Sequence, residues 1–399
     1  MTPRVLIYFT QFTAALGGSE YMPLMFVSEL QKRCHVTLAL NWQSDVGAAA
    51  GTLGIPIDMS ALEVVLVKPK NPFLRKLDAI LPFYRTRRLK KLAKRADICI
   101  STANMFDFGK PAHHFVFLLH HFGDNAFSDF VRHTRRSGMA RFRQAFRTGI
   151  AEWILRPLIG VRSTRKILAD KRECIYPNSR YVENIMRDFY GDFNSTVFYP
   201  PTIFEPTDSA ATRDPLTVVC LGQVFPIKRV AEIILIVERA RELSGADLKL
   251  RIGGPLDPTP YVAKIERMAA ERPWVELAGG VYGRDGKSAF LQSAAYAVHA
   301  ARDEAFGISV TEYLKSGLIP IVPDEGGSPE IVDDPELKYR DDEEAARILA
   351  KLLTDEAFRE ERQRRCAARA GDFSLEKYLE NQRRLLNAIV DEAAGEAEA

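Results

Sequence analysis

Short apolar runs, each bounded by glycine, proline or polar residues, alternate along the chain with longer segments of helical periodicity. The runs are Val5 to Thr10, Val36 to Leu40, Ile98 to Ser101, Phe115 to Leu119, Leu216 to Leu221, Leu248 to Ile252, Val275 to Val281 and Ile319 to Val322. Their length suits strands covered on both faces, as in parallel sheets. Alternation of such strands with helices predicts an α/β chain with doubly wound parallel sheets. Between the strands, Leu89, Leu92, Ala93 and Ala96 fall at helical spacing, as do Phe142, Phe146, Ile150 and Trp153 within Met139 to Leu158. Near the end, Leu375, Leu379, Leu385, Leu386 and Ile389 predict a helix from Phe373 to Val390, with residues 392–399 frayed. Cys174 to Arg180 reads as the entrance to a helix capped by Asn178 or Ser179.

The most patterned stretch runs from Asp303 to Val332. Gly307 opens a helix, and Gly317 closes it with Pro320 beyond. A buried strand follows at Ile319 to Val322. Gly326-Gly327 then forms a permissive loop, Ser328 an N-cap and Pro329 the first position of a second helix. Two helix N-termini behind glycine loops are two candidate anion sites, since unpaired N–H groups and the helix dipole both favour phosphate. Glu304 and Glu312 are eight residues apart. On one helix they would share a face, roughly 12 Å apart at ~1.5 Å per residue. The bare spacing equally describes a surface helix with two solvated glutamates.

Val5 to Thr10 leads into Gly17-Gly18-Ser19-Glu20 and a helix through about Arg33, a phosphate-binding outline shared by many α/β proteins. Phe115 to Leu119 delivers His120 to the end of a strand, where parallel sheets present side chains to a ligand. His113 and His114 precede that strand and belong at its opposite end. The histidines lack carboxylate or cysteine companions at zinc-ligand spacing.

Charge changes the picture. Residues 1–205 hold 29 Lys and Arg against 17 Asp and Glu, a surplus of 12. The remainder holds 26 against 35, a deficit of 9. A basic first half suits an anionic partner. Two basic amphipathic segments, 78–96 and 139–158, fit an anionic membrane surface. Without a helix-turn-helix or aromatic-interleaved motif, nucleic acid is not expected. Composition is otherwise that of a globular chain long enough for two domains, 46% hydrophobic and 27% charged over 399 residues. The five cysteines, unpaired in spacing, suit a reducing compartment. The start Met1-Thr2-Pro3-Arg4 does not read as a signal peptide, and no run of 18 apolar residues occurs, so a cytoplasmic protein, peripheral on the membrane inner face, is expected.

The stretch Glu304 to Val332, written EAFGISVTEYLKSGLIPIV and GGSPEIV, resembles the donor-binding core of GT-B retaining glycosyltransferases of the family 4 type, mannosyltransferase-like. The approach NSRYVENIMRDFYG to VFYPP is similar to the hinge approach of that family. The resemblance implies two Rossmann-like domains facing a central cleft. Residues 1–205, with helix 375–399 packing back, would bind acceptor, and 206–374 a nucleotide-sugar donor. It further implies diphosphate contacts from Gly17, Gly18, Gly222, Lys228 and the backbone of Phe306, Gly307, Ile308 and Ser309. The base would lie near Gly280 and Val281, the ribose on Glu312, and the donor sugar on Glu304, with His120 beside the acceptor. The family has arginine where this chain has Gln223, which donates a hydrogen bond but offsets no charge. Either Arg229 substitutes, or neutralisation of the diphosphate rests on Lys228 and the helix N-termini. No Asp-x-Asp pair occurs, and neither metal nor cofactor is implied. The expected activity is metal-independent retaining transfer of a sugar, with GDP-mannose as first choice of donor, to a lipid-linked or polysaccharide acceptor. The alternatives are a sugar-nucleotide epimerase of related fold, or a non-catalytic relative that binds glycan or nucleic acid.

Overall fold

The computed structural model describes residues 2–12, 18–69, 71, 83–117, 160–207 and 213–398. The chain divides into two units, Met1–Pro201 with Leu379–Ala399, and Thr202–Tyr378.

In the first unit the elements run β1 (Arg4–Phe9), α1 (Gly18–Leu30), β2 (His35–Leu40), α2 (Val46–Thr52), β3 (Leu62–Leu66), α3 (Phe83–Ala93), β4 (Ile98–Ser101), β5 (His113–Val116), α4 (Thr164–Leu168), β6 (Cys174–Pro177) and α5 (Arg180–Tyr190). All strands are parallel, in the order β3-β2-β1-β4-β5-β6. Ile7, Leu38, Leu40 and Ile100 are fully buried, which is why these strands read as unbroken apolar runs.

The second unit holds β7 (Asp214–Leu221), α6 (Val230–Ser244), β8 (Lys249–Gly253), α7 (Pro260–Ala270), β9 (Val275–Gly279), α8 (Arg284–Gln292), β10 (Ala294–Val298), α9 (Ile308–Lys315), β11 (Ile319–Pro323), α10 (Ser328–Val332), β12 (Lys338–Tyr339), α11 (Asp342–Thr354) and α12 (Glu356–Ala370), followed by α13 (Leu375–Glu398). Its parallel order, β12-β11-β10-β7-β8-β9, repeats the winding of the first sheet. The chain reverses direction of travel between β1 and β4 in one sheet and between β7 and β10 in the other. In open α/β sheets the crevice for ligands lies at that reversal, outside the carboxyl ends of the strands.

Several expectations are corrected. β5 starts two residues before the apolar run and takes in His113 and His114. His114 tolerates complete burial because both ring nitrogens are used. Nδ1 accepts from the Phe106 N–H at 3.4 Å, and Nε2 donates to Glu173 at 2.9 Å. Arg162 then joins Glu173 at 2.8 Å to Asp107 at 2.8 Å, and Lys90 closes on Asp107 at 2.7 Å. Cys174–Pro177 is a strand, and the helix begins only after Ser179, whose hydroxyl accepts from the Val182 N–H. The last helix continues through Glu398 where fraying was expected, its final residues being mostly alanine and glutamate, both strong helix formers. The division at 201/202 lies four residues before the expected 205/206. Thr202 is held by Thr311 (Oγ1 to Oγ1, 2.8 Å) and Glu205 by Lys315 (2.6 Å), both anchors of the second unit. At the other end the division falls at 378/379, against the expected 374/375.

Candidate donor site in the second unit

Two adjacent strand ends build the site. At the end of β7 the Leu221 N–H donates to the Tyr313 hydroxyl at 2.7 Å. Tyr313 is buried within α9, and burial pushes its hydroxyl well above the ordinary tyrosine value. The Gly222 N–H donates to the Gly253 carbonyl at 2.9 Å. A Cβ on Gly254 would fall 1.9 Å from the Gly222 carbonyl oxygen, so backbone touches backbone here. Gln223 is exposed, and a short 3-10 turn, Pro226–Lys228, then sets the direction of Lys228.

At the end of β10, His299 extends the ladder through its N–H to the Ile321 carbonyl at 3.0 Å. The His299 carbonyl accepts from the Tyr339 hydroxyl at 2.8 Å. The chain then loops outward to Glu304. Gly326-Gly327 braces that loop from behind: the Gly327 N–H donates to the Glu304 carbonyl at 2.8 Å. A Cβ on Gly327 would sit 2.4 Å from the Ala305 carbonyl oxygen, and Gly326 has a φ of 82°. The pair therefore serves close approach. Ser328 is not the cap expected of it. Gly327 occupies the cap position, and the Ser328 hydroxyl is buried inside α10 without a hydrogen-bond partner among the described residues.

Across the reversal between β7 and β10, the Lys228 Nζ and a Glu304 carboxylate oxygen (Oε2) form an ion pair. His299 Nε2 lies 4.0 Å from the same oxygen. His299 is 5% exposed, and burial pushes its pKa down to about 4 against the smaller opposing pull of Glu304. The imidazole is neutral at pH 7. Beside this trio, Gly307 adopts a φ of 107° and leads into α9 with no side-chain cap. The first N–H groups of a helix lack intrahelical acceptors, so the Ile308–Ser309 end is suited to an anion. The Phe306 side chain is core, packed edge-on against Phe373, leaving its backbone as the usable part.

Glu304 precedes α9 by four residues, so the two glutamates do not share a helix. Glu312, 7% exposed, accepts instead from Lys287 of α8 at 2.7 Å. Lys287 also lies 5.1 Å from the centre of the Phe204 ring. Arg229, expected beside Lys228, turns to Asp342 at 3.0 Å. Gly280 leaves room for Tyr282, since a Cβ there would meet its ring at 2.2 Å, and Val281 packs toward Gly253. Thus Lys228, Glu304 and the Gly307 turn come together, while Arg229 and Glu312 are engaged elsewhere. Gly17, His120 and segment 139–158 lie outside the described residues. Gly18 opens α1 after β1. His299 and Lys287 escaped the sequence reading. His299 does end an apolar run, a signal that could have found it; Lys287 has none, sitting in a polar helix.

Residues 203–371 match the family described as "Glycosyl transferases group 1". The gpi3 subunit of phosphatidylinositol N-acetylglucosaminyltransferase from Schizosaccharomyces pombe is 24% identical over 197 residues, 48% of this chain and 38% of that protein. The chain thus matches well under half the length of this curated relative. Among solved structures, Anabaena Alr3699/HepE in complex with UDP-glucose is similar with a TM-score of 0.62 at 13% identity, covering 97% of this chain and 100% of that one. WaaG, a glycosyltransferase involved in lipopolysaccharide biosynthesis, gives 0.61 at 15%, covering 96% and 99%. Residues 203–371 of the second unit thus match the glycosyl transferases group 1 model, and the chain as a whole has the two-sheet α/β fold of the GT-B glycosyltransferases.

Proposed function

We propose that the protein is a retaining glycosyltransferase that takes a sugar from a nucleotide diphosphate donor without a metal ion and passes it to a lipid-linked or polysaccharide acceptor. The observation that carries this reading is the Lys228–Glu304 pair at the strand reversal beside the Gly307 helix start. Departure of a diphosphate builds charge on its oxygens, and preorganised donors stabilise it. Lys228 and the N–H groups opening α9 are such donors. Glu304 orients the donor sugar and faces its developing positive charge. Glu312, paired with Lys287, accepts the ribose hydroxyls.

The sequence points to GDP-mannose. The similar proteins name other donors, UDP-glucose for HepE and N-acetylglucosamine for the gpi3 subunit, so a uridine donor is the second reading. A lipid-borne acceptor accords with the names of the gpi3 subunit and WaaG. It accords also with α3, which buries Leu89 and Ala93 and exposes Arg87, Arg88 and Lys91, followed by exposed Lys94 and Arg95. Each such cation near anionic lipid is worth about 1 kcal/mol. Among the described residues no helix is long and apolar enough to cross a membrane. A thermal-shift panel of GDP-mannose, UDP-glucose and UDP-N-acetylglucosamine tests the reading. At least one should raise Tm in the wild type and fail to do so in Lys228→Ala; a flat panel would sink it.

A further inference from the structure

His299, like Ser328, is a buried side chain of this site that carries an unpaired polar atom, and it is the one beside Glu304. Its backbone is clamped on both sides, by Ile321 and by the Tyr339 hydroxyl, so the ring has little freedom to move. The side chain is almost wholly buried, yet Nε2 has no hydrogen-bond partner among the described residues. A buried polar atom left unpaired is costly, and such atoms call for an explanation. The Glu304 carboxylate oxygen lies 4.0 Å from it, and Lys228 already holds that oxygen.

We propose that His299 is a positioning residue for Glu304, with Nε2–H receiving the carboxylate when a bound diphosphate draws Lys228 away. This rests on the donor-site reading above and adds a partner exchange to it. Lys228 cannot neutralise both Glu304 and a diphosphate. Once the lysine turns to the phosphates, the Glu304 carboxylate gives up that ion pair while it must still orient the sugar. A shift of about one ångström brings its oxygen from 4.0 Å to hydrogen-bond distance of Nε2. The neutral imidazole is the right partner, since it fixes direction without neutralising the charge that faces the sugar. The unpaired nitrogen is then a vacancy kept for the loaded state.

The test uses the full chain with His299→Phe and His299→Gln. Probes are UDP, GDP, UDP-glucose and GDP-mannose, read by thermal shift and by donor hydrolysis without acceptor. The Phe variant should match or exceed the wild type in Tm and keep the shift produced by UDP or GDP. It should lose at least tenfold in kcat for donor hydrolysis with KM changed less than threefold, and Gln should recover part of the loss. Unchanged kcat in the Phe variant would overturn the proposal, as would loss of nucleotide binding along with activity, which marks a structural role. A second measurement does not depend on the variants. In 15N-histidine-labelled wild type, the His299 Nε2 signal should move on saturation with UDP or GDP, and a signal that stays put despite a thermal shift overturns the exchange. Absence of any thermal shift in the wild type would instead remove the donor site itself, and the exchange with it.

Discussion

Lys228 and Glu304 belong to different loops, 76 residues apart in sequence, and meet in an ion pair where the second sheet reverses its strand order. Both side chains are partly exposed, so the pair adds little to stability, within about 1 kcal/mol. On the function proposed above, its weight falls on catalysis. Lys228→Ala should leave Tm within about 2 °C and lower kcat about a hundredfold, the typical cost of removing one preorganised donor. Steady-state kinetics beside a melting curve checks both halves.

Glu312 and Lys287 form the contrasting case. Glu312 is buried, and Lys287→Met strips its cation. With Lys287 about a quarter exposed, the loss should be about 1–3 kcal/mol, below the full cost of breaking a buried pair. Glu312→Gln, which leaves only the more exposed Lys287 charge and an amide to accept from it, should cost less than Lys287→Met. Urea denaturation of the two variants gives the order, and the reverse order would contradict the pairing described.

Acid should weaken the fold partly through His299. Its folded value of about 4 lies below the unfolded 6.5, so the unfolded chain takes up a proton first as pH falls. The contribution is intact above pH 6.5 and is lost progressively toward pH 4, at up to about 1.4 kcal/mol per pH unit. Relative to wild type, His299→Phe should therefore gain about 2 kcal/mol between pH 7.5 and pH 5. Chemical denaturation at the two values measures the difference.

Gly327→Ala should damage both stability and activity. The added carbon would meet the Ala305 carbonyl oxygen, and the loop carrying Glu304 must move to admit it. Overpacking of this kind costs about 1–3 kcal/mol. Activity should fall with it while the nucleotide-induced thermal shift persists, because Lys228 and α9 stay in place.

Most of the fold was legible because a parallel strand buried on both faces leaves an unbroken apolar run, as Val5 to Phe9 and Ile319 to Val322 do. The edge strands were not. Leu62–Leu66 is half exposed and Lys338–Tyr339 is two residues long, so neither carries that signature. Gly307 and Gly317 announced the limits of α9 through the backbone conformations they alone adopt readily. Pairing was the hidden part. Nothing local tells that Lys287 reaches Glu312, that Arg229 turns to Asp342, or that Glu173 satisfies His114, because each partner comes from a distant segment. His299 was overlooked for a related reason: a histidine closing an apolar run looks like the strand's polar terminus until its neighbours are known.

Helix α13 has a consequence for synthesis. Its residues Leu386, Ile389 and Val390 are buried, Gln382 donates to the Met25 carbonyl, and Arg33 grips Asp391 at 2.6 Å. The first unit is thus unfinished until residues 379–399 have been made, whereas Thr202–Tyr378 is contiguous and complete before them. Residues 1–201 must wait for a segment made only after the whole second unit. Loss of residues 379–391 would be felt more than 300 residues away, at Met25 and Arg33.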